Sequence, residues 1–203
     1  VITKDIEPYE ETKIRILNGG HTSLAYLGAL SGYRTFDEVM NDPIHRHHFK
    51  QLQYEEIVPS VEGELPFDIY EYVDKVEERF SNATNVDELD RICMDGFTKF
   101  HTFVVPSLRK CLEQGKKPIN IYKGIAAWYI YSRRFARGCK KIQYNEPNWT
   151  LLEPLLRDGA VDAFVSNERL WGDIPKQFIS FTRDLKTILL SQTYEHEIDL
   201  LGN

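Results

Sequence analysis

The feature that most constrains the fold is the spacing of the apolar residues, which recur every three to four positions through most of the chain. Ile14, Leu17, Leu24 and Leu27 illustrate this spacing, which places apolar side chains on one face of an α-helix. No Asn-Gly or Asp-Gly turn lies between two alternating runs, so hairpin signals are lacking. The pattern predicts a mostly α, multi-helical fold, with about 60% of residues in helices, in one domain over residues 1–203.

Local signals indicate where several of these helices begin. Thr35 and Glu38 have the spacing of a capping box, and Asp42 precedes a proline at a helix start. Asn120 is expected to cap a long apolar helix that ends near residue 136. Pro106 is expected to kink or break the helix around it, because proline lacks the backbone donor and clashes with the preceding turn.

Composition excludes several classes of protein. The 25 Lys and Arg residues against 31 Asp and Glu residues give a net charge of −6, which disfavours nucleic acid or an anionic membrane as a partner. The longest apolar stretch, Gly124 to Tyr131, is far below the roughly 20 residues that span a bilayer. Cys93, Cys111 and Cys139 form no C-x-x-C pair, which predicts reduced thiols in a cytoplasmic protein.

Neither common phosphate-binding loop occurs in the chain. No two of the 12 glycines are two positions apart, so G-x-G-x-x-G is excluded, and G-x-x-x-x-G-K-[ST] is missing too. We therefore predict no nucleotide-binding loop within these residues.

Three other groups of residues have structural explanations that outweigh functional ones. The histidines of His45-Arg46-His47-His48 could suggest a metal site, but no acid stands at ligand spacing upstream, so a solvated helix face is expected. The aromatic residues of the stretch 122–131 are expected to pack in the core, because that run is apolar all round. A basic cluster over residues 133–141 stands at a helix end, where cations suit the helix dipole.

The segment most informative about chemistry is Lys13-Ile14-Arg15-Ile16-Leu17-Asn18-Gly19-Gly20-His21. On a continuous α-helix, Lys13 and His21 would lie about 80° apart, and Asn18 and His21 about 60° apart. Two adjacent glycines cost such a helix roughly 2 kcal/mol relative to alanine. A helix that keeps Gly19 and Gly20 is therefore expected to need its backbone close to a ligand or to another helix.

These three residue types suit proton transfer at a carbonyl or alcohol carbon. An ammonium group acts as a general acid or base when burial lowers its pKa, and an amide N–H can hold an oxygen that becomes negative. An imidazole can orient a hydroxyl group. Spacing alone favours the alternative interpretation, which is a surface Lys13, a helix-interrupting Asn18-Gly19 pair and a half-buried His21.

The pattern Lys13-x-x-x-x-Asn18-x-x-His21 resembles the signature of the long-chain polyol dehydrogenases, which include mannitol 2-dehydrogenase and the fructuronate and tagaturonate reductases. The likeness runs from residue 1 to about residue 140 and is looser beyond. Further stretches similar to that family are Pro8-Tyr9-Glu10, Leu24-Ala25-Tyr26-Leu27-Gly28, Gly32-Tyr33, Glu55-Glu56, Glu78-Arg79-Phe80-Ser81-Asn82 and Asp95-Gly96-Phe97-Thr98-Lys99-Phe100.

The resemblance implies a helical C-terminal substrate domain that packs against an N-terminal Rossmann domain, which lies outside this chain. The full enzyme would use NAD or NADP, held mainly by that Rossmann domain, and no metal. Lys13 would be the general acid/base, Asn18 part of an oxyanion hole and His21 a contact to a substrate hydroxyl. Lys99 would bind the substrate. His101, two positions after Lys99, is a second candidate for substrate binding, with a surface or core histidine as the alternative.

The implied reaction interconverts a ketose or ketohexuronate and its polyol or aldonate, and the isolated chain is expected to be inactive. Mannitol dehydrogenases have Arg where this chain has Lys99, a version closer to the hexuronate reductases. Two rival hypotheses remain. One is a non-catalytic helical interaction domain that retains the family fold. The other is a relative of sugar-phosphate dehydrogenases, for which Arg15, Arg34 and Lys99 are the nearby phosphate-binding candidates.

Overall fold

The computed structural model describes residues 6–61, 65–84 and 86–201, with side chains through residue 192. Within these ranges the chain is helical and contains no β-strand beyond an isolated antiparallel bridge between Thr35 and Glu88. Of the described residues 74% are helical, which confirms the mostly α prediction. No helix among the described residues is both long enough and apolar enough to cross a membrane.

Fourteen α-helices are described, interrupted by three π-helical segments and two short 3₁₀ turns, at Val58–Ser60 and Glu153–Leu156. The α-helices are α1 (Glu7–Thr12), α2 (Gly20–Leu30), α3 (Phe36–Asn41), α4 (Pro43–Gln51), α5 (Ile69–Phe80), α6 (Leu89–Ile92), α7 (Gly96–Lys99), α8 (Val105–Glu113), α9 (Ile119–Ala136), α10 (Trp149–Leu152), α11 (Val161–Val165), α12 (Glu168–Trp171), α13 (Ile174–Gln177) and α14 (Ile179–Leu201). The π-helical segments are π1 (Lys13–Gly19), π2 (Leu52–Ile57) and π3 (Phe100–Val104).

Helix α9 is the centre of the fold and packs against α2, α14 and π2. Its aromatic side chains Tyr122, Trp128, Tyr129 and Tyr131 are all buried, which confirms that they are core residues. The Trp128 ring stacks on Phe100 of π3 with centroids 4.7 Å apart. The core therefore connects the middle of the chain to a π-helical segment near the candidate site.

Two of the expected helix starts are confirmed in detail. The capping box is formed: the backbone N–H of Thr35 donates a 3.1 Å hydrogen bond to the Glu38 carboxylate. Asp42 Oδ1 accepts hydrogen bonds from the backbone N–H groups of Ile44 and His45 at 2.8 and 3.0 Å. Pro106 does not break its helix. It lies in the first turn of α8, where π3 ends and where proline is tolerated.

The prediction that Asn120 caps the long apolar helix is wrong. Helix α9 begins at Ile119, so Asn120 lies inside its first turn. The cap comes instead from Glu56 in π2, whose buried carboxylate accepts hydrogen bonds from the backbone N–H groups of Asn120 and Ile121 at 2.7 and 2.8 Å, and from Asn120 Nδ2 at 2.9 Å. A cap that is distant in sequence satisfies the same free N–H groups that a local one would.

We expect Glu56→Gln to lower the free energy of unfolding by about 2 kcal/mol, because the new amide group faces buried donors that need an acceptor. Urea unfolding followed by circular dichroism measures the change. Glu55→Gln, at the exposed neighbouring position, is the matched control and should stay near the wild-type value. Equal stability of the two variants would refute this role for Glu56.

The three cysteines are free thiols. Cys93 and Cys111 are buried, and burial raises the pKa of both thiols, that of Cys111 to about 11. A thiol with a raised pKa is a weak nucleophile, because the thiolate is the reactive form. This confirms that Cys93 is a buried small apolar residue. Cys139 is partly exposed.

Candidate active site

Lys13, Asn18 and His21 lie on one uninterrupted helical path, which runs through α1, π1 and α2 from residue 7 to residue 30. Lys13 and Asn18 belong to π1, and His21 lies at the start of α2. Lys13 is exposed, whereas Asn18 and His21 are half-buried. Of the two alternatives that the sequence left open, the continuous helix is present and the interruption at Asn18-Gly19 is not, but the middle of the helix is not α-helical.

The π-helical geometry changes which of these residues share a face. In an α-helix, positions 13 and 18 would lie about 140° apart. A π-helix closes its hydrogen bonds between residues five apart, so Lys13 and Asn18 lie one above the other. The α-helical geometry assumed from the sequence therefore needs correcting, because the π-helical register of Lys13–Gly19 favours an arrangement with the ammonium and the amide on the same side.

The adjacent glycines of this segment are explained by neighbouring helices. A Cβ added to Gly19 would lie 2.8 Å from the Phe103 carbonyl oxygen of π3. A Cβ added to Gly20 would collide with the side-chain amide of Gln53 in π2. The backbone thus approaches other helices here, which is one of the two explanations that the sequence left open.

Buried polar side chains anchor π1 on both sides. Gln53 Nε2 donates a 2.8 Å hydrogen bond to the Ile16 carbonyl oxygen. The guanidinium of the buried Arg15 donates to Ser107 Oγ of α8 at 3.1 Å and to Glu11 at 3.0 Å. These contacts hold the wide turn in place, since π-helical segments are rare and need support from their surroundings.

The His21 imidazole is held between two aromatic rings. It stacks on Phe80 with centroids 4.9 Å apart and meets the edge of Phe36 at 4.2 Å. Its Nε2 atom is buried and has no hydrogen-bond partner among the described residues. Burial lowers the pKa of His21 to about 4, so the neutral ring present at pH 7 can exchange a hydrogen bond with a hydroxyl group.

A small cavity of about 240 Å³ adjoins these rings, and Arg79, Val86 and Asp87 line it together with Phe36 and Phe80. Charged groups are close enough to affect the pKa of His21: Asp87 raises it, and Lys99, Arg91 and Arg79 lower it. The surroundings of His21 are therefore polar on one side and aromatic on the other.

Lys99 ends α7, and its ammonium group donates a 2.8 Å hydrogen bond to the Ile92 carbonyl oxygen. Burial lowers the pKa of Lys99, and the nearby Cys93 and Asp95 oppose that shift. The structure thus brings Lys99 into the electrostatic surroundings of His21, 78 positions away in sequence. Its contact with a substrate stays a prediction.

His101 lies in π3 and contacts the C-terminal part of the chain. Its side chain is exposed, and its Nδ1 atom lies 3.2 Å from the Leu170 carbonyl oxygen of α12. The ring is therefore held by the C-terminal segment of the chain. A substrate contact by His101 also stays a prediction.

Sequence reasoning did not assign Arg79, Asp87 or Arg91 to the site. Arg91 and Asp87 form an ion pair at 2.5 Å, and both affect the pKa of His21. The sequence did contain a signal for Arg79, because Arg79 and Phe80 form an Arg-Phe motif within the stretch 78–82 that resembles the family. The structure explains that motif: Phe80 supports the His21 ring, and Arg79 lines the cavity beside it.

The histidine-rich segment is not a uniformly solvated helix face. His48 is buried, and the His45 ring lies 2.9 Å from Asp42 Oδ1 and 3.1 Å from Ser31 Oγ. Arg46, which is exposed, donates from its guanidinium to Glu77 at 2.6 Å. In the described part of the chain, no three His, Cys, Asp or Glu side chains are grouped so that they could hold a metal ion.

We expect the protein to lose stability as the pH falls from 6.5 to 4. His21 and His48 have pKa values lowered by burial from 6.5 to about 4, so the unfolded chain binds more protons within this window. The stability that each neutral histidine contributes is fully present above pH 6.5. About 2 kcal/mol of it per histidine is lost when the pH falls to 5. Urea unfolding at pH 7, 6 and 5 measures the slope.

The variant that tests this pH dependence is His48→Gln. It should reduce the slope of the unfolding free energy against pH by the amount that corresponds to about one bound proton. His47→Gln, at an exposed neighbouring position, should keep the wild-type slope. An unchanged slope in His48→Gln would contradict the assignment, even if that variant is less stable at pH 7.

Comparison with known proteins gives the chain a family. Residues 5–189 match the sequence family described as the mannitol dehydrogenase C-terminal domain. Mannitol dehydrogenase 2 of Saccharomyces cerevisiae is 36% identical over 164 residues, which cover 79% of this chain and 31% of the yeast protein. Mannitol 2-dehydrogenase of Aspergillus fumigatus is 31% identical over 194 residues, which cover 93% of this chain and 38% of the fungal protein.

A solved structure has the same fold. The Pseudomonas fluorescens mannitol 2-dehydrogenase, in a ternary complex with NAD and D-mannitol, superposes with a TM-score of 0.79 at 27% identity. The match covers 97% of this chain and 42% of that one. The chain thus spans about a third of the length of its curated relatives and less than half of the solved structure. The sequence match, the identities and the shared fold together show that this chain belongs to the mannitol dehydrogenase family, whose C-terminal domain it matches.

Proposed function

We propose that residues 1–203 form the helical substrate domain of an NAD(P)-dependent oxidoreductase that interconverts a ketose or ketohexuronate and its polyol or aldonate. One observation supports the proposal: in a chain of this family, Lys13 and Asn18 stand five positions apart within the π-helical segment π1, and His21 follows at the start of α2. The π-helical register favours residues five apart on the same side of a helix. The three side chains offer the functional groups that proton transfer at a sugar carbon requires.

Lys13 is proposed as the general acid/base. In the reductive direction an alkoxide forms at the former keto carbon, and the Lys13 ammonium gives it a proton. In oxidation the neutral amine takes the proton from the alcohol. The exposure of Lys13 on this chain leaves its ammonium open to a substrate that arrives from outside the domain.

Asn18 and His21 are proposed to position the sugar. The Asn18 amide N–H donates to the oxygen that gains negative charge, an interaction that is stronger in the transition state than in the ground state. The neutral His21 ring binds a substrate hydroxyl through Nε2, which is buried without a partner among the described residues. Lys99, close to His21, suits a further sugar oxygen or a carboxylate, because its ammonium is a compact charge with three donors.

The nicotinamide cofactor, when bound, supplies or accepts the hydride. This chain does not fit the nucleotide part of such a cofactor, because it has no glycine-rich phosphate loop. We therefore assign cofactor binding to a Rossmann domain that lies outside these residues, in agreement with the share of the relatives' length that the chain covers. Support for NAD comes from the Pseudomonas fluorescens relative, which was solved with NAD and D-mannitol.

A substrate panel on the natural-length protein tests the proposed function. Fructose, fructuronate and tagaturonate are offered with NADH and with NADPH, and mannitol and arabinitol with the oxidised cofactors. Turnover of at least one compound at the keto or alcohol carbon is expected. Turnover of hexuronates alone would indicate that Lys99 binds the carboxylate of the substrate. No turnover of any compound would favour a non-catalytic helical domain.

The 203-residue chain by itself is expected neither to bind NADH with micromolar affinity nor to turn over substrate, because it lacks the phosphate loop. Fluorescence titration of the isolated chain with NADH measures this. Micromolar binding would show that a cofactor site lies within the chain and would overturn our assignment of cofactor binding.

A further inference from the structure

A second cavity among the described residues lies at the end of α2, away from Lys13. Its volume is about 800 Å³, and it is lined by the end of α2, the residues that follow it, the end of α9 and the loop after α9. Leu30 lines this cleft and lies 17 positions beyond Lys13 on the same helical path. That separation corresponds to about 25 Å along the helix axis.

The walls of the cleft carry an excess of positive charge. The cations are Arg34, Arg133, Arg134, Arg137 and Lys141, and the anions are Glu88 and Asp90. The chain as a whole has a net charge of −6, so this is a local reversal of sign. Asp158 accepts hydrogen bonds from Arg133 and Arg137 at 2.5 and 2.7 Å, which fixes two of the guanidinium groups that line the cleft.

The cleft is also apolar. Leu30, Ile130, Tyr131 and Ile142 contribute to its lining, and Tyr131 is buried. The volume lies within the range of small-molecule sites, which combine apolar walls with a few polar groups. Cations around an apolar hollow favour a ligand that is itself both charged and apolar.

We propose that this cleft is a second ligand site, which takes a small organic anion: a carboxylate, sulfonate or phosphate group on an aromatic or aliphatic body. The acidic group would lie against Arg134 and Lys141, and the apolar body against Ile130 and Ile142. This site is separate from the cavity beside His21. The two linings have no residue in common.

Cys139 provides a natural reporter of the cleft. It lines the cleft and is partly exposed, whereas Cys93 and Cys111 are buried. Its thiolate attacks an aromatic disulfide, forms a mixed disulfide and expels the other half as a thiolate. The dianionic reagent 5,5′-dithiobis(2-nitrobenzoate) is itself an aromatic anion, and 2,2′-dithiodipyridine is its neutral counterpart.

The first arm of the test compares these reagents on the natural-length protein. Lys141→Gln should slow the reaction of Cys139 with the anionic reagent by about threefold and leave the neutral reagent unaffected. Lys140→Gln is the matched control, because Lys140 is adjacent and exposed but does not line the cleft. Equal effects of the two variants would refute a role for the cleft cations.

The second arm measures protection of Cys139 from the neutral reagent. Naphthalene-1-sulfonate should slow labelling by about fivefold when it fills a site of this size, and neither sulfate nor 2-naphthol at the same concentration should do so. Equal protection by sulfate would show that the cleft binds any small anion and would overturn the proposal of an organic ligand. No protection by any of the three compounds would overturn the proposed site.

A further outcome concerns what covers the cleft. If Cys139 reacts with the neutral reagent in the 203-residue chain but not in the natural-length protein, another part of that protein fills the cleft. That result would overturn the small-anion proposal. Reaction at similar rates in both, together with protection by the sulfonate, would support it.

Discussion

Replacing Lys13 with alanine is expected to lower kcat for a ketose or ketohexuronate by at least about 10²-fold, because general acid/base groups contribute roughly 10² to 10⁴. The physical reason is local. The alkoxide that forms at the former keto carbon needs a proton, and Lys13 is the member of the trio whose ammonium can supply it. NADH binding should remain close to wild type, since the proposed cofactor contacts lie outside this chain.

Steady-state kinetics on the natural-length protein, together with a fluorescence titration of NADH, measure both quantities. Lys116→Ala is a suitable control, because Lys116 is exposed between α8 and α9 and belongs to no proposed site. If Lys13→Ala loses less than about tenfold in kcat, another group is the acid and the proposed mechanism is wrong.

Gly96→Ala is expected to lower the free energy of unfolding by about 3 kcal/mol, since overfilling a packed core typically costs roughly 1–3 kcal/mol. A Cβ at this position would collide with Trp128 and would lie 2.6 Å from the Tyr26 hydroxyl. Neither ring can move easily. Both are buried, Trp128 donates to Tyr144 at 2.9 Å, and Tyr26 donates to the Cys93 carbonyl at 2.9 Å.

Differential scanning calorimetry should show this loss as a fall in Tm of roughly 10 °C for a domain of this size. Thr98→Ala, two positions further along α7 at an exposed site, should stay within about 0.5 kcal/mol of wild type. A Gly96→Ala protein with wild-type Tm would mean that the packing around Trp128 is looser than the structure indicates.

The family motifs acquire physical meaning from the structure. Gly28 packs so closely on α3 that an added Cβ would collide with Val39, and Glu56 of the Glu-Glu pair caps α9. Asp95, with a φ of 52°, precedes α7, and the backbone N–H of Phe97 donates to Glu146 at 3.0 Å. These motif residues support α2, which carries His21, α7, which carries Lys99, and the central helix α9.

Most helix positions could be predicted, because they depend on neighbours in sequence. The capping box at Thr35 and the cap at Asp42 need only residues within one helical turn. The cap of α9 could not be predicted, because its acceptor, Glu56, stands 64 positions before Asn120 and is brought there only by the fold.

The candidate site shows the same division. Local spacing and family likeness determined that Lys13, Asn18 and His21 share one helix, and that the glycine pair needs a close neighbour. Only the tertiary structure decided that this neighbour is Gln53 on one side and the Phe103 carbonyl on the other. The wide π-turn that aligns Lys13 with Asn18 accompanies those long-range contacts, because a helix alone favours the α-helical hydrogen-bond register and other parts of the chain must stabilise any departure from it.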